Sequence, residues 1–171
     1  TAPTQKREVD EEVGDDLDFS IKLARGYTMR PKVVTTHKSY HGHTGFALSG
    51  IGRDAYRKPF EPLMPEFVRV DYGDADAMAR IVDDKTACVL LEPAMTNIGM
   101  VLPEPGFWQQ AQALMRRLGT LLILDVTHAF SSGPGGYQFG SGCLDVLHRV
   151  SNVPNKRAHS GVIRHSCPRI A

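Results

Sequence analysis

One stretch constrains this chain more than any other: Leu121-Leu122-Ile123-Leu124-Asp125, four aliphatic residues ending on an acid. A short continuous apolar run of this kind fits a strand buried on both faces, as in a parallel sheet. A second run, Thr86-Ala87-Cys88-Val89-Leu90-Leu91, ends in the same way on Glu92. Ligands of open α/β sheets sit just beyond the carboxyl ends of such strands. Asp125 therefore stands either where a buried acid would meet a ligand or where a strand-ending Asp caps the next turn. The residues alone leave both open.

The segments between these runs alternate in period. A short helix is expected over Asp18 to Tyr27, closing near Gly26, and the β-branched Lys32 to Thr36 reads as a strand after Pro31. A helix over Thr44 to Ser49 follows, and Gly50 to Pro65, punctuated by Gly52, Pro59, Pro62 and Pro65, reads as irregular. Phe67 to Asp71 alternates like a strand, and Asp74 is placed to cap a helix running to about Asp83. Phe107, Ala111, Leu114, Met115 and Leu118 recur at helical spacing, with Gly119 as the stop. Helix and strand in alternation predict an α/β domain with a mostly parallel sheet flanked by helices. Right-handed crossovers then bring Glu92 and Asp125 to one edge of it.

The ends read differently. Residues 1–18 form a polar lead-in with an acidic run, and residues 148–171 a basic, histidine-containing tail expected to be poorly ordered. The chain is long enough for one domain with a real core between them. A net charge of +1 gives no support for a nucleic-acid partner or an anionic membrane surface. No apolar run approaches the roughly 18 residues a membrane helix needs. Cys88, Cys143 and Cys167 are widely separated and odd in number, which fits reduced thiols in a cytoplasmic protein.

Three loops should gather at the sheet edge: Tyr40 to His43, Glu92 to Asn97, and Asp125 to His128. One use of such a set is metal binding by His37, His41, His43 and His128, as in a metal-dependent hydrolase, although the spacing matches no regular ligand pattern. Ser131 and Ser132 lack the strand-turn-helix elbow of a hydrolase nucleophile. The other use is a heterocyclic cofactor. A buried carboxylate such as Asp125 can hold a protonated pyridine nitrogen, and an aromatic ring such as Tyr40 can stack on its face.

The motifs Tyr40-His41-Gly42-His43-Thr44-Gly45, Leu90-Leu91-Glu92-Pro93, Pro103-Glu104-Pro105-Gly106-Phe107, Leu122-Ile123-Leu124-Asp125 and Gly133-Pro134-Gly135-Gly136-Tyr137 occur in that order. Together they resemble the class III pyridoxal-phosphate-dependent aminotransferases, especially the branch containing glutamate-1-semialdehyde aminomutase. The resemblance covers roughly residues 19–147. It implies a fold-type-I large domain, pyridoxal 5'-phosphate as cofactor, a small-molecule amino donor and acceptor, and a homodimer in the intact enzyme. It implies a role for each matched residue as well. Tyr40 would stack on the cofactor ring, Asp125 would pair with the pyridine nitrogen, and His128 would lie near the phenolic oxygen. Glu92 would sit under the pocket, Asn97 would line it, and His41 would complete the stacking loop without touching substrate.

Some positions depart from the family pattern. Where the family has a glycine-serine phosphate turn, this chain reads Glu11-Glu12-Val13-Gly14-Asp15-Asp16, whose carboxylates would repel a phosphate. Val126 replaces the acid that usually follows the pyridine-binding Asp. The lysine that holds the cofactor covalently should fall near Ser151, but Lys156 is the only lysine after Lys85, and it is a weak candidate. The expectation is therefore a central piece of a longer enzyme, truncated or frameshifted, with little transaminase activity by itself. The rival expectation is a non-catalytic remnant or interaction protein of the same fold.

Overall fold

The computed structural model describes residues 3–127, 146–149 and 163–164, with the backbone alone for 3–15 and for the last two stretches. The first helix, α1 (Pro3–Thr28), is much longer than its apolar face predicts. Leu17, Ile21 and Ala24 are the buried positions of that face. The run before them is polar but rich in Gln, Lys, Arg and Glu, which propagate a helix without burial. Polarity marked the segment as uncovered, and did not make it non-helical.

After α1 come β1 (Lys32–Thr36), α2 (Gly45–Gly50) and a single turn, α3 (Asp54–Arg57), which continues as a 3-10 turn over Lys58–Phe60. That stretch was expected to be irregular; its residues are all at least partly exposed, so no apolar period announces the turn. Next are β2 (Phe67–Val70), α4 (Ala75–Ile81), β3 (Thr86–Leu91) and a 3-10 turn over Thr96–Ile98. The series continues with α5 (Phe107–Leu118) and β4 (Leu121–Asp125). Asp74 caps α4 as predicted, accepting the Ala77 N–H at 2.7 Å. Gly119, at φ 63°, ends α5 in the left-handed conformation that glycine adopts without strain. Short strands β5 (Val146–Arg149) and β6 (Ile163–Arg164) complete the sheet.

The sheet order is β2-β1-β3-β4-β5-β6, with all pairs parallel except β5 with β6. Its inner strands are covered on both faces. Val34, Val89, Leu91, Leu122 and Leu124 pack with Met78, Phe107, Ala111, Leu114 and Met115 from α4 and α5. The alternate residues Val33, Cys88, Leu90 and Ile123 pack with Leu17, Ile21 and Ala24 of α1 and Ala47 of α2. Two-sided burial is why β3 and β4 are written as unbroken apolar runs. α2 lacks a cap of its own; Asp18 of α1 supplies one, accepting the Ala47 N–H at 2.8 Å. No helix among the described residues is long and apolar enough to cross a membrane.

Candidate functional site at the sheet's switch point

The chain leaves β1 toward β2 on one side and returns as β3 on the other, so the order reverses between β1 and β3. Loops that diverge at such a point open a crevice at the carboxyl ends of the strands. In the register of β3 with β4, Leu91 lies opposite Leu124, so Glu92 and Asp125 follow side by side at this edge, as predicted.

The loop after β1 is folded back tightly. Gly52 makes this possible: its N–H donates to the Ser39 carbonyl at 3.0 Å, and its own carbonyl accepts from Lys38 N–H at 3.2 Å. A Cβ on Gly52 would stand 2.3 Å from both Lys38 N and Thr36 O, so no other residue fits without moving backbone. This staple aims Tyr40 and His41 at the ends of β3 and β4.

His41 is fully buried. Its Nδ1 lies 3.0 Å from Asp125 Oδ2, and its Nε2 lies 3.3 Å from Thr35 Oγ1. The Ser39 hydroxyl donates to the Thr36 and Gly50 carbonyls, at 2.8 and 3.3 Å. The Thr35 hydroxyl lies between Ser39 Oγ, at 3.4 Å, and His41 Nε2, at 3.3 Å, and links the two. With an anionic carboxylate at Nδ1, that ring nitrogen is the donor. Asp125 and His41 make a buried hydrogen-bonded pair.

Asp125 itself is 7% exposed. Burial by itself raises its carboxyl. The hydrogen bond and charge of His41 and the Thr127 hydroxyl and N–H outweigh that and hold it below the usual value. Thr127 contributes both its N–H, at 3.2 Å, and its hydroxyl, to Oδ1.

Glu92 behaves in the opposite way. Burial pushes its carboxyl up to about 7; His41 opposes that, Asp125 adds to it, and the Tyr40 N–H opposes it. The Tyr40 N–H donates to Glu92 Oε1 at 3.1 Å, bridging the crevice between the loops after β1 and β3. Tyr72 locks the second loop from behind, its hydroxyl shared between the Glu92 and Pro93 carbonyls at 3.1 and 2.8 Å. Two neighbouring acids are thus held in different protonation regimes by their surroundings.

Tyr40, His41, Glu92 and Asp125, four of the residues singled out from sequence, converge. The half-buried Tyr40 ring is met nearly edge-on by His43, at 5.5 Å and 77°, and by Tyr56, at 6.0 Å and 81°. Asn97 is exposed on its 3-10 turn, and its carbonyl accepts from Arg53 at 2.8 Å. His128 and Lys156 lie outside the described residues. His37 and His43 are exposed while His41 is committed to Asp125 and Thr35. No group of three or more His, Cys, Asp or Glu side chains among the described residues could hold a metal ion. Sequence reasoning missed Thr35, Ser39, Thr127 and Tyr72, which orient the acids and the imidazole. A hydroxyl in a strand or turn carries no local signal for such a task.

The donor set suits a protonated pyridine ring. A carboxylate offers about four acceptor positions, and three of those on Asp125 are used, by His41 and twice by Thr127. One remains for a ring N–H. The phosphate end departs from the expected pattern. α1 runs unbroken through residues 14–18, so no helix N-terminus presents free amides there.

Fold and site together define a doubly wound α/β domain with a ligand crevice at its switch point. The model of the aminotransferase class-III family matches residues 17–135, and the chain belongs to that family. Class-III aminotransferases depend on pyridoxal phosphate. An uncharacterized aminotransferase of Archaeoglobus fulgidus is 49% identical over 112 residues, covering 66% of this chain and 26% of that protein. The acetylornithine aminotransferase of Methanopyrus kandleri is 40% identical over 133 residues, covering 78% of this chain and 34% of that protein. Among solved structures, a glutamate-1-semialdehyde aminomutase from Pseudomonas aeruginosa PAO1 superposes with a TM-score of 0.63 at 33% identity, covering 73% of this chain and 29% of that one. The chain spans about a quarter to a third of the length of the curated relatives it matches, 26% and 34% in the two named.

Proposed function

We propose that this chain carries the ring-binding half of a pyridoxal-phosphate-dependent aminotransferase site. The reaction served would move an amino group between an amino acid or amino aldehyde and an oxo acceptor. The observation that carries this reading is Asp125: a buried carboxylate held anionic by His41 and Thr127, with one acceptor position left, beside a half-buried tyrosine. When bound, pyridoxal phosphate supplies an electron-accepting ring. Asp125 would keep the ring nitrogen protonated, and His41 would fix the carboxylate in place. Tyr40 would cover the ring face, with Glu92 beneath the pocket, His128 beside the ring and Asn97 at the rim.

We assign residues 19–147 to one partial large domain, between the polar lead-in 1–18 and the basic tail 148–171, although α1 and β5 each run across one of these limits. Within the family, the Gly133–Tyr137 motif favours the aminomutase-like branch, and an aminomutase is among the structural neighbours. The intact enzyme would be a homodimer. The chain by itself would turn over little, and robust turnover abolished by Lys156→Ala would overturn that expectation.

A second reading, a remnant of the same fold that binds no cofactor, is favoured by the unbroken course of α1 where a phosphate turn would lie. Titrating the purified chain with pyridoxal phosphate, followed by absorbance and by Trp108 fluorescence, separates the two. Saturable binding that is weakened by Asp125→Asn supports the aminotransferase site. Lack of saturable binding supports the remnant.

A further inference from the structure

We infer that the crevice takes a protonated pyridine ring without its phosphate, so that pyridoxamine binds in preference to pyridoxamine 5'-phosphate; this rests on the ring-binding reading above. The geometry that carries it is the course of α1 relative to Asp125. Ile123 packs on the face of the sheet that α1 and α2 cover. Side chains alternate along a strand, so Asp125, two residues further on, opens on that same face. Thr35, two residues after Val33 of that face, meets His41 there. The five residues of β1 span about 17 Å, and a helix climbs about 1.5 Å per residue. α1 leads into β1 from the amino edge, so traced back from Thr28 it draws level with the end of β1 near Leu17. The bond from Ala47 N–H to Asp18, at 2.8 Å, fixes that level, because α2 follows the carboxyl end of β1. The residues of α1 before Leu17 therefore stand past the sheet edge, on the side of Asp125.

That segment is unsuited to a phosphate on two counts. Between Arg7 and Lys22 the chain has acids at positions 8, 10, 11, 12, 15, 16 and 18 and no base. A phosphate ester carries roughly two negative charges near neutral pH, which such a run repels. The amides that could offset this are taken. Inside α1 they are closed into the helix. At the start of α2 the Ala47 N–H donates to the Asp18 carboxylate, and the Leu48 N–H to the Thr44 carbonyl at 2.7 Å. Lys22 and Arg25, the next bases along α1, lie against Phe46, at 5.9 and 4.9 Å from its ring centroid. A pyridinium meets the opposite field. Asp125 keeps an acceptor position for its N–H, and the acids of α1 attract a cationic ring. The acid that would receive the ring and the acids that would turn the phosphate away lie on one side of the sheet.

The test uses the full chain with pyridoxamine and its 5'-phosphate, which differ in the phosphate alone and form no imine with lysines. Calorimetry at low and high salt gives both affinities, with thermal unfolding as the control for folding. At low salt pyridoxamine should bind at least about tenfold tighter than the ester, which still saturates, and salt should narrow the gap by screening. Asp15→Asn combined with Asp16→Asn should narrow it too, chiefly by tightening the ester. An ester that binds as tightly as pyridoxamine, or tighter, overturns the inference. A gap that neither salt nor the paired substitution narrows also overturns it. Asp125→Asn tests the ring-binding reading separately and should weaken both ligands. Pyridoxamine binding that Asp125→Asn leaves unchanged removes that reading, and a wild type that binds neither ligand removes the reading and the inference together.

Discussion

The imidazole of His41 joins Asp125 from 84 positions away in sequence, Nδ1 to Oδ2 at 3.0 Å, and it does so with no exposure to solvent. Removing one partner of such a pair strands the other charge in the interior. His41→Ala should therefore destabilise the fold by about 3–5 kcal/mol, and His41→Ala combined with Asp125→Asn should cost clearly less than the sum of the two. Urea unfolding of the four members of this double-mutant cycle checks the coupling. Additive costs would show that the two residues do not act as a pair.

Thr35 holds the other side of the same ring. Thr35→Val keeps the shape of the side chain and removes the hydroxyl that partners Nε2 at 3.3 Å. The buried ring nitrogen left without a partner should cost about 1–3 kcal/mol, read from urea unfolding. The 15N chemical shifts of the His41 ring in the unmutated chain check the other bond: a protonated Nδ1, facing Asp125, is expected.

The two acids should leave opposite marks on stability against pH. Glu92 titrates at about 7 in the folded chain instead of at the usual 4.5, so the folded state holds this proton more tightly than the unfolded state does. Its contribution is complete at the acid end, below the unfolded value, and is lost as pH rises through the folded one. The loss over that window is on the order of 3 kcal/mol. Glu92→Gln should flatten this slope when unfolding is measured at steps from pH 4.5 to 7; an unchanged slope would refute the assignment. Asp125, whose carboxyl is lowered, contributes above its unfolded value and loses that contribution only as pH falls further.

Two glycines should respond in opposite directions to the same substitution. At Gly52 a methyl group would collide with backbone at 2.3 Å, so Gly52→Ala should cost about 3 kcal/mol or more, beyond ordinary overpacking. At Gly26, inside α1, a methyl group meets nothing within 4 Å, so Gly26→Ala should stabilise by about 0.5–1 kcal/mol. Thermal melts of the two variants are sufficient.

What the sequence made legible follows from how each feature is encoded. β3 and β4 are buried on both faces, and such strands appear as unbroken apolar runs ending at their acids. α5 carries its period in Phe107, Ala111, Leu114 and Met115 and its stop in Gly119. By contrast, α3 buries none of its residues, so its single turn has no periodic signature. The first half of α1 is written in polar residues, several of them good helix formers, which hydrophobic spacing cannot register. In the site, Asp125 and Tyr40 were readable because their chemistry is unusual at a strand end or in a loop. The task of His41 was not, because it is defined by a residue 84 positions away. Tyr72 was hidden for a similar reason: its two acceptors are main-chain carbonyls, and those carry no residue identity.

The strand order has a consequence for how the protein is made. β1 pairs with β3 and β3 with β4, so the loop after β1 can meet both Glu92 and Asp125 only once β3 and β4 have docked beside it in register. Parallel pairing of this kind is non-local and slow to form. The site is therefore assembled from non-local pairings, and no one segment of the chain holds it. A ligand that spans the loops would act as a clasp on the finished topology, raising the melting temperature with the logarithm of its concentration above Kd.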